Sequence, residues 1–130
     1  MTVASVSGDI EGVAGVIIWT DRYPEMLAFY RDVLGLTPRS ERPTFANFEW
    51  DGFRLSVAAH PEVHGPARDP LRIMVHFAVP DIAATHQRLV EQGVEFSRPP
   101  EQERWGGWVA TFADPDGNTL QLLQLPDETS

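Results

Sequence analysis

The sequence predicts an α+β domain in which one pattern is stated twice: a strand, a helix and about three further strands. Three observations predict it. An apolar run ends in an aspartate, a helical pattern and a glycine follow, and this happens around Asp21 and again around Asp81. Each copy then reaches an Asp-Gly turn, at Asp51-Gly52 and at Asp116-Gly117. The two aspartate offsets, 60 and 65 residues, are nearly equal. At 130 residues the chain is one domain, or two half-size modules sharing a core, because half the chain cannot bury a sheet alone.

The elements follow in order. Residues 12–20 read as a strand, since Val13, Val16, Ile17, Ile18 and Trp19 are β-branched or aromatic. Asp21 is expected to cap the next helix through its carboxylate. Tyr23, Met26, Leu27, Tyr30, Val33 and Leu34 then mark one face of an amphipathic helix, and Gly35 ends it. Residues 45–50 and 53–58 read as a hairpin across Asp51-Gly52. Four residues of the stretch 60–70, Pro61, Gly65, Pro66 and Pro70, mark a linker. Module one therefore covers about 12–58, the linker 59–70 and module two about 71–125 of a single domain.

Module two repeats the order. Residues 71–79 read as a strand, Asp81 caps a helix carrying Ile82, Leu89 and Val90, and Gly93 ends it. Residues 94–97 are expected as a short strand and 99–107 as a loop. Residues 108–113 and 119–125 form the last hairpin, across Asp114-Pro115-Asp116-Gly117-Asn118.

Composition excludes several classes. There are no cysteines, so disulfides, thiolate zinc sites and cysteine nucleophiles are all ruled out. The formal charge of −9 repels phosphate backbones, so a nucleic-acid partner is not expected. No apolar stretch approaches the ~20 residues that cross a bilayer, and residues 1–12 lack a basic, then apolar leader, so the expected setting is the cytoplasm, with no membrane partner. No GxSxG, HExxH, P-loop or dinucleotide fingerprint is present.

FYRDVLGL (29–36), FAVPDI (77–82) with QGVEF (92–96), and FADPDGNTLQLL (112–123) stand in a telling order. Together they resemble the glyoxalase / bleomycin-resistance / extradiol-dioxygenase superfamily, the vicinal oxygen chelate proteins, over nearly the whole chain. Module two looks especially like glyoxalase I. The resemblance implies paired βαβββ modules whose sheets curl into a half-barrel, with a concave ligand cavity and the helices outside. It also implies a homodimer.

Metal-dependent members of that superfamily place a histidine or glutamine seven residues before each helix-capping aspartate. They place a glutamate on each module's last strand. Those positions here are Ala14 and Met74, then Ser56 and Gln121. Zinc, nickel, iron and manganese need carboxylate oxygen or imidazole nitrogen. Alanine offers no donor, methionine a soft one and serine a weak one, so no metal and no other cofactor is expected. His76, two residues from Met74, shares its face and is the one imidazole near Gln121. It is expected to be an uncharged histidine in a polar pocket. His60 and His64 are expected in solvent, and His86 toward solvent or a subunit contact.

The cavity expected from alternation takes Ala14, Val16 and Ile18 from module one, and Met74, His76 and Ala78 from module two. Ser56, Gln121 and Leu123 join them. Phe48 is expected at its edge, with Phe45, Trp50 and Trp108 among the nearby aromatics, while Trp19 is expected under the helix. Metal-free relatives that sequester antibiotics carry a tryptophan before a glycine ahead of the last hairpin, which is the place of Trp105-Gly106. A flat indole can stack on a planar ligand. Asp114 and Asp116 read as turn geometry rather than an acid pair. Glu101 and Glu103 are candidates for a general base at the cavity mouth, against a solvated loop charge.

Three functions follow. The first is metal-independent binding or sequestration of a small, antibiotic-like organic molecule, with no catalytic residues. The second is a divergent glyoxalase-like lyase or isomerase, or a dioxygenase, with an atypical metal site on Gln121 and His76. The third is a non-catalytic accessory or regulatory domain.

Overall fold

The structure, a computed structural model, describes residue 9 and residues 11–126. Module one runs β1 (Gly15–Thr20), α1 (Tyr23–Ala28, continued by a π-helical turn at Phe29–Val33), β2 (Ser40–Arg42), β3 (Phe45–Trp50) and β4 (Phe53–Ala59). Module two runs β5 (Val75–Ala78), α2 (Ile82–Glu91), β6 (Phe96–Gln102), β7 (Trp108–Ala113) and β8 (Thr119–Gln124). Each module is thus βαβββ. Each makes its own four-stranded mixed sheet, in the orders β1-β4-β3-β2 and β5-β8-β7-β6. The first strand pairs in parallel with the last, which the crossover helix makes possible. No hydrogen-bond ladder joins the two sheets, and neither closes into a barrel.

One core serves both modules. Met26, Tyr30, Phe48, Leu55 and Val57 from module one join Leu89, Phe112, Leu120 and Leu122 from module two in a continuous buried cluster. Phe29 reaches across to Phe112, with ring centroids 6.4 Å apart. Arg88 of α2 donates to the carbonyls of Val33 and Leu34, both at 3.0 Å, and so binds the end of α1. Each helix therefore covers one face of its sheet, and the covered faces meet in the shared core.

The two helices begin differently. At α2, the Asp81 carboxylate accepts from Ala84 N at 3.1 Å, as expected, and Gln124 Oε1 accepts from Ile82 N at 2.7 Å. At α1 the expected cap is not made. The capping position is Arg22, without a side-chain bond, and Asp21 Oδ2 instead accepts from Gly65 N of the linker at 3.0 Å. The first helix also widens: Leu34 N bonds Phe29 O, five residues back, where the amphipathic spacing predicts a plain α-helix. Both helices end on glycines with positive φ, Gly35 at 80° and Gly93 at 92°.

The β3–β4 turn is as expected: Asp51 and Gly52 both have positive φ, 45° and 85°, as a two-residue hairpin of this twist requires. The stretch 94–107 differs from expectation. β6 runs on through Pro99 and Pro100 to Gln102, where a loop was expected from residue 99. It is an edge strand with register shifts either side of Arg98, so the prolines interrupt no central ladder. β5 is shorter than expected, because residues 71–73 form a turn rather than strand. Among the described residues, no helix is long and apolar enough to cross a membrane.

Candidate functional site

Residues paired directly across neighbouring strands share a face. In module one, Ser56 pairs with Ile17 of β1 and with Asn47 of β3, which pairs with Ser40 of β2. A transverse row Ile17–Ser56–Asn47–Ser40 therefore crosses the face that no helix covers. It is a closed polar ladder: Ser56 Oγ donates to Asn47 Oδ1 at 2.5 Å, and Asn47 Nδ2 donates to Ser40 Oγ at 3.2 Å. In module two, the corresponding row is His76–Gln121–Thr111–Arg98. His76 and Gln121 are neighbours in the β5–β8 register.

Several expected site residues do not join these rows. Val16 and Ile18 pack on the helix-covered core, because β1 is aligned so that Ile17, not its neighbours, meets Ser56. Ala14 precedes β1 and meets β4 through its carbonyl, which accepts from Arg54 N at 2.9 Å. Phe48 is in the core beside Tyr30, with ring centroids 6.5 Å apart. Trp19, expected under the helix, is instead 44% exposed, its ring edge-on to His60 at 5.0 Å. His60, expected in solvent, is half-buried, and His86 packs on Phe96 at 4.5 Å rather than turning outward. In module two, Met74 lies just before β5, and His76 and Ala78 pair with Gln121 and Leu123.

Trp105 lies in the tight turn between β6 and β7, where Glu103 N bonds Gly107 O at 2.7 Å. Its indole folds over Gly107 so closely that a Cβ there would stand 2.0 Å from the ring. The indole remains 55% exposed. Both candidate bases of that loop are held by one guanidinium: Arg98 pairs with Glu101 at 2.7 Å and also with Glu103.

The superfamily's metal set does not fit these residues. On the face of Ser56, β1 offers Gly15, Ile17 and Trp19, none with a side chain that ligates a metal, so the correction to Ala14 leaves the chemistry unchanged. Ser56 itself is already committed to Asn47. Among the described residues, no group of three or more His, Cys, Asp or Glu side chains comes together as a metal would require.

Sequence reasoning missed one buried polar centre. The carboxylate of Asp114 accepts from the hydroxyl of Tyr30 at 2.7 Å and from the amides of Asp116 and Asn118, together with Asn118 Nδ2, all within 3.0 Å. Arg22 reaches the same turn, bonding Asp116 Oδ1 at 3.3 Å and the Pro115 carbonyl. Burial raises the Asp114 carboxyl above its ordinary range, against the pull of its donors. Burial, and then the Asp114 charge, push the Tyr30 hydroxyl well above the usual phenol value. The centre fastens module one to module two rather than facing a ligand. The turn residues 114–118 signalled part of it; nothing in their spacing pointed to Tyr30.

Comparison with known proteins agrees with this architecture. The Glyoxalase/Bleomycin resistance protein/Dioxygenase superfamily matches residues 12–122, and the chain belongs to that superfamily. Among curated relatives, uncharacterized protein YetH of Bacillus subtilis (strain 168) is 23% identical over 120 residues, 88% of this chain and 99% of that protein. Among solved structures, a glyoxalase/bleomycin resistance protein/dioxygenase from Nocardioides superposes with a TM-score of 0.75 at 22% identity, covering 96% of this chain and 90% of that one. Lactoylglutathione lyase from Agrobacterium tumefaciens superposes at 0.70 with 18% identity, covering 90% and 96%. At these identities the superpositions speak for the fold.

Proposed function

We propose that the protein binds or sequesters a small, planar organic molecule of antibiotic-like chemistry, without the superfamily's usual metal triad. The observation that carries this is the Ser56–Asn47–Ser40 ladder. The position where a glutamate would bind metal holds a neutral hydroxyl, and that hydroxyl is engaged with protein. The helix-free faces then offer Ile17, His76 and Gln121, with Met74 just before β5 and the half-exposed Trp105 in the β6–β7 turn, a largely apolar set with a few polar groups that suits an organic ligand. β1 and β5 each end a sheet, and Ile17, Trp19 and Met74 are exposed there. These free edges support a homodimer in which a second copy covers them.

Tryptophan fluorescence of the purified protein, titrated with a panel of planar and cationic natural products, tests the reading. Saturable quenching by at least one compound, in protein carrying no stoichiometric metal, is expected. No quenching by any of them, or one nickel, zinc or iron ion per chain, overturns it.

The register of His76 beside Gln121 favours a second reading, an enzyme with an atypical metal site. An imidazole and an amide oxygen side by side supply two ligands, and further donors would have to come from substrate or a second copy. Retention of one metal per chain, lost in both His76→Ala and Gln121→Ala, would establish it.

A further inference from the structure

A cavity lies at the seam where the two modules meet, along the free edge of β5. It measures about 460 Å³. Trp50 and Phe53, flanking the β3–β4 turn, form one wall, and Leu34 and Leu36 after the helical turn form another. Phe77 of β5 and Leu89 of α2 close it from module two. The volume falls in the range of small-molecule pockets, roughly 300–1,000 Å³. Two of its aromatics are open to solvent despite their size, Trp50 at 45% and Phe53 at 37%.

Its polar groups sit together. Thr85 and Arg88 line the cavity from successive turns of α2, three residues apart and hence on one side of the helix. Arg88 is held rigid by the two carbonyls that end α1. Those bonds use one proton on each terminal nitrogen, leaving Nε–H and two further N–H groups. Among the described residues, Arg88 has no carboxylate within 4.0 Å, as is true also of Arg42, Arg68 and Arg104, but it alone of these four lines the cavity. A preoriented guanidinium at the edge of an apolar cavity suits a carboxylate, which it can meet through two parallel bonds.

We propose that this seam cavity is a second binding site, which takes a flat apolar molecule ending in one carboxylate. The apolar body lies between Trp50, Phe53 and Phe77, and the carboxylate meets Arg88, with the Thr85 hydroxyl as a further donor. The net charge of −9 disfavours anions at long range, so discrimination comes from this short contact. His76 and Ala78 also line the cavity, so it borders the helix-free face of module two along the β5 edge, while its anion contact at Arg88 and its Trp50–Phe53 wall lie apart from that face.

The test uses 2-naphthoate and its neutral analogue 2-naphthylmethanol, titrated into the full chain and followed by NMR at the Trp50 indole N–H. Naphthoate is expected to bind and shift that resonance. Arg88→Gln is expected to weaken naphthoate about tenfold, the loss of one charge-assisted contact, and to leave naphthylmethanol unchanged. Thr85→Phe, which fills the cavity, is expected to block both probes, while Gln121→Phe, on the helix-free face, blocks neither. Thermal unfolding of each variant confirms that it is folded, and Arg88→Lys, which keeps the charge, recovers part of the affinity if Arg88→Gln loosens α1. No naphthoate binding at millimolar concentration overturns the proposal. So does equal weakening of both probes by Arg88→Gln, or blockage by Gln121→Phe in place of Thr85→Phe.

Discussion

The two modules share an order of elements and differ in how each aspartate is used. Asp81 caps its helix, with Gln124 as a second acceptor, whereas Asp21 leaves its helix uncapped and holds the linker. Module two supplies Asp114, and module one answers with Tyr30 from its widened helical turn. The open face of module one carries a neutral hydroxyl–amide ladder, while that of module two carries an imidazole beside an amide. A repeated topology therefore does not repeat its chemistry: once two halves share a core, each position answers to its own neighbours.

The sharpest way to break the comparison is at the contact that joins the halves. Asp114→Ala removes four accepted hydrogen bonds at a buried site and strands the Tyr30 hydroxyl, which is expected to cost about 3 kcal/mol in urea unfolding. The same carboxyl gives a pH signature. Because its folded pKa is raised by burial, its protonation favours the folded state. That contribution is fully present below the ordinary value of 3.8 and is lost as pH rises through the higher folded value. The stability difference between the native protein and Asp114→Asn, measured across that window, is expected to shift against the native protein as pH rises.

The caps give smaller effects that sharpen the contrast. Asp81→Ala is expected to cost about 1 kcal/mol, the usual worth of an N-cap. Asp21→Ala is expected to cost less than about 0.5 kcal/mol, since its one bond is to an exposed linker amide. Equal losses at the two aspartates in denaturant unfolding would mean that the modules are more alike than their hydrogen bonds.

Much of this was legible in the sequence, and the failures have physical causes. The Asp51-Gly52 hairpin, the Asp81 cap and both helix-ending glycines follow from local backbone preferences that need no distant partner. The facing of β1 was not legible. Counting back from Asp21 treats it as a cap, and a shift of one residue in a strand sends every side chain to the other face. That is why Val16 and Ile18 lie in the core and Trp19 lies outside it. The Tyr30–Asp114 bond spans 84 residues and leaves no periodic trace. Pro99 and Pro100 argued against a strand because the sequence could not say that β6 would be an edge. For the candidate site, the repeat singles out Ser56 and Gln121, and alternation from Met74 adds His76, whereas the ladder that engages Ser56 depends on the β3–β4 register.

The stretch between the modules is fastened near its middle, once to each module. Gly65 N is held by Asp21 of module one, and two residues later Ala67 N is held by the carbonyl of Asp116 in module two. With one core running through both halves, the covalent join there is not what keeps them together. A chain cut at His64 is expected to behave as a two-piece protein, its fragments migrating together until a denaturant separates them. By the same logic, the two halves expressed as separate polypeptides form a complementing pair.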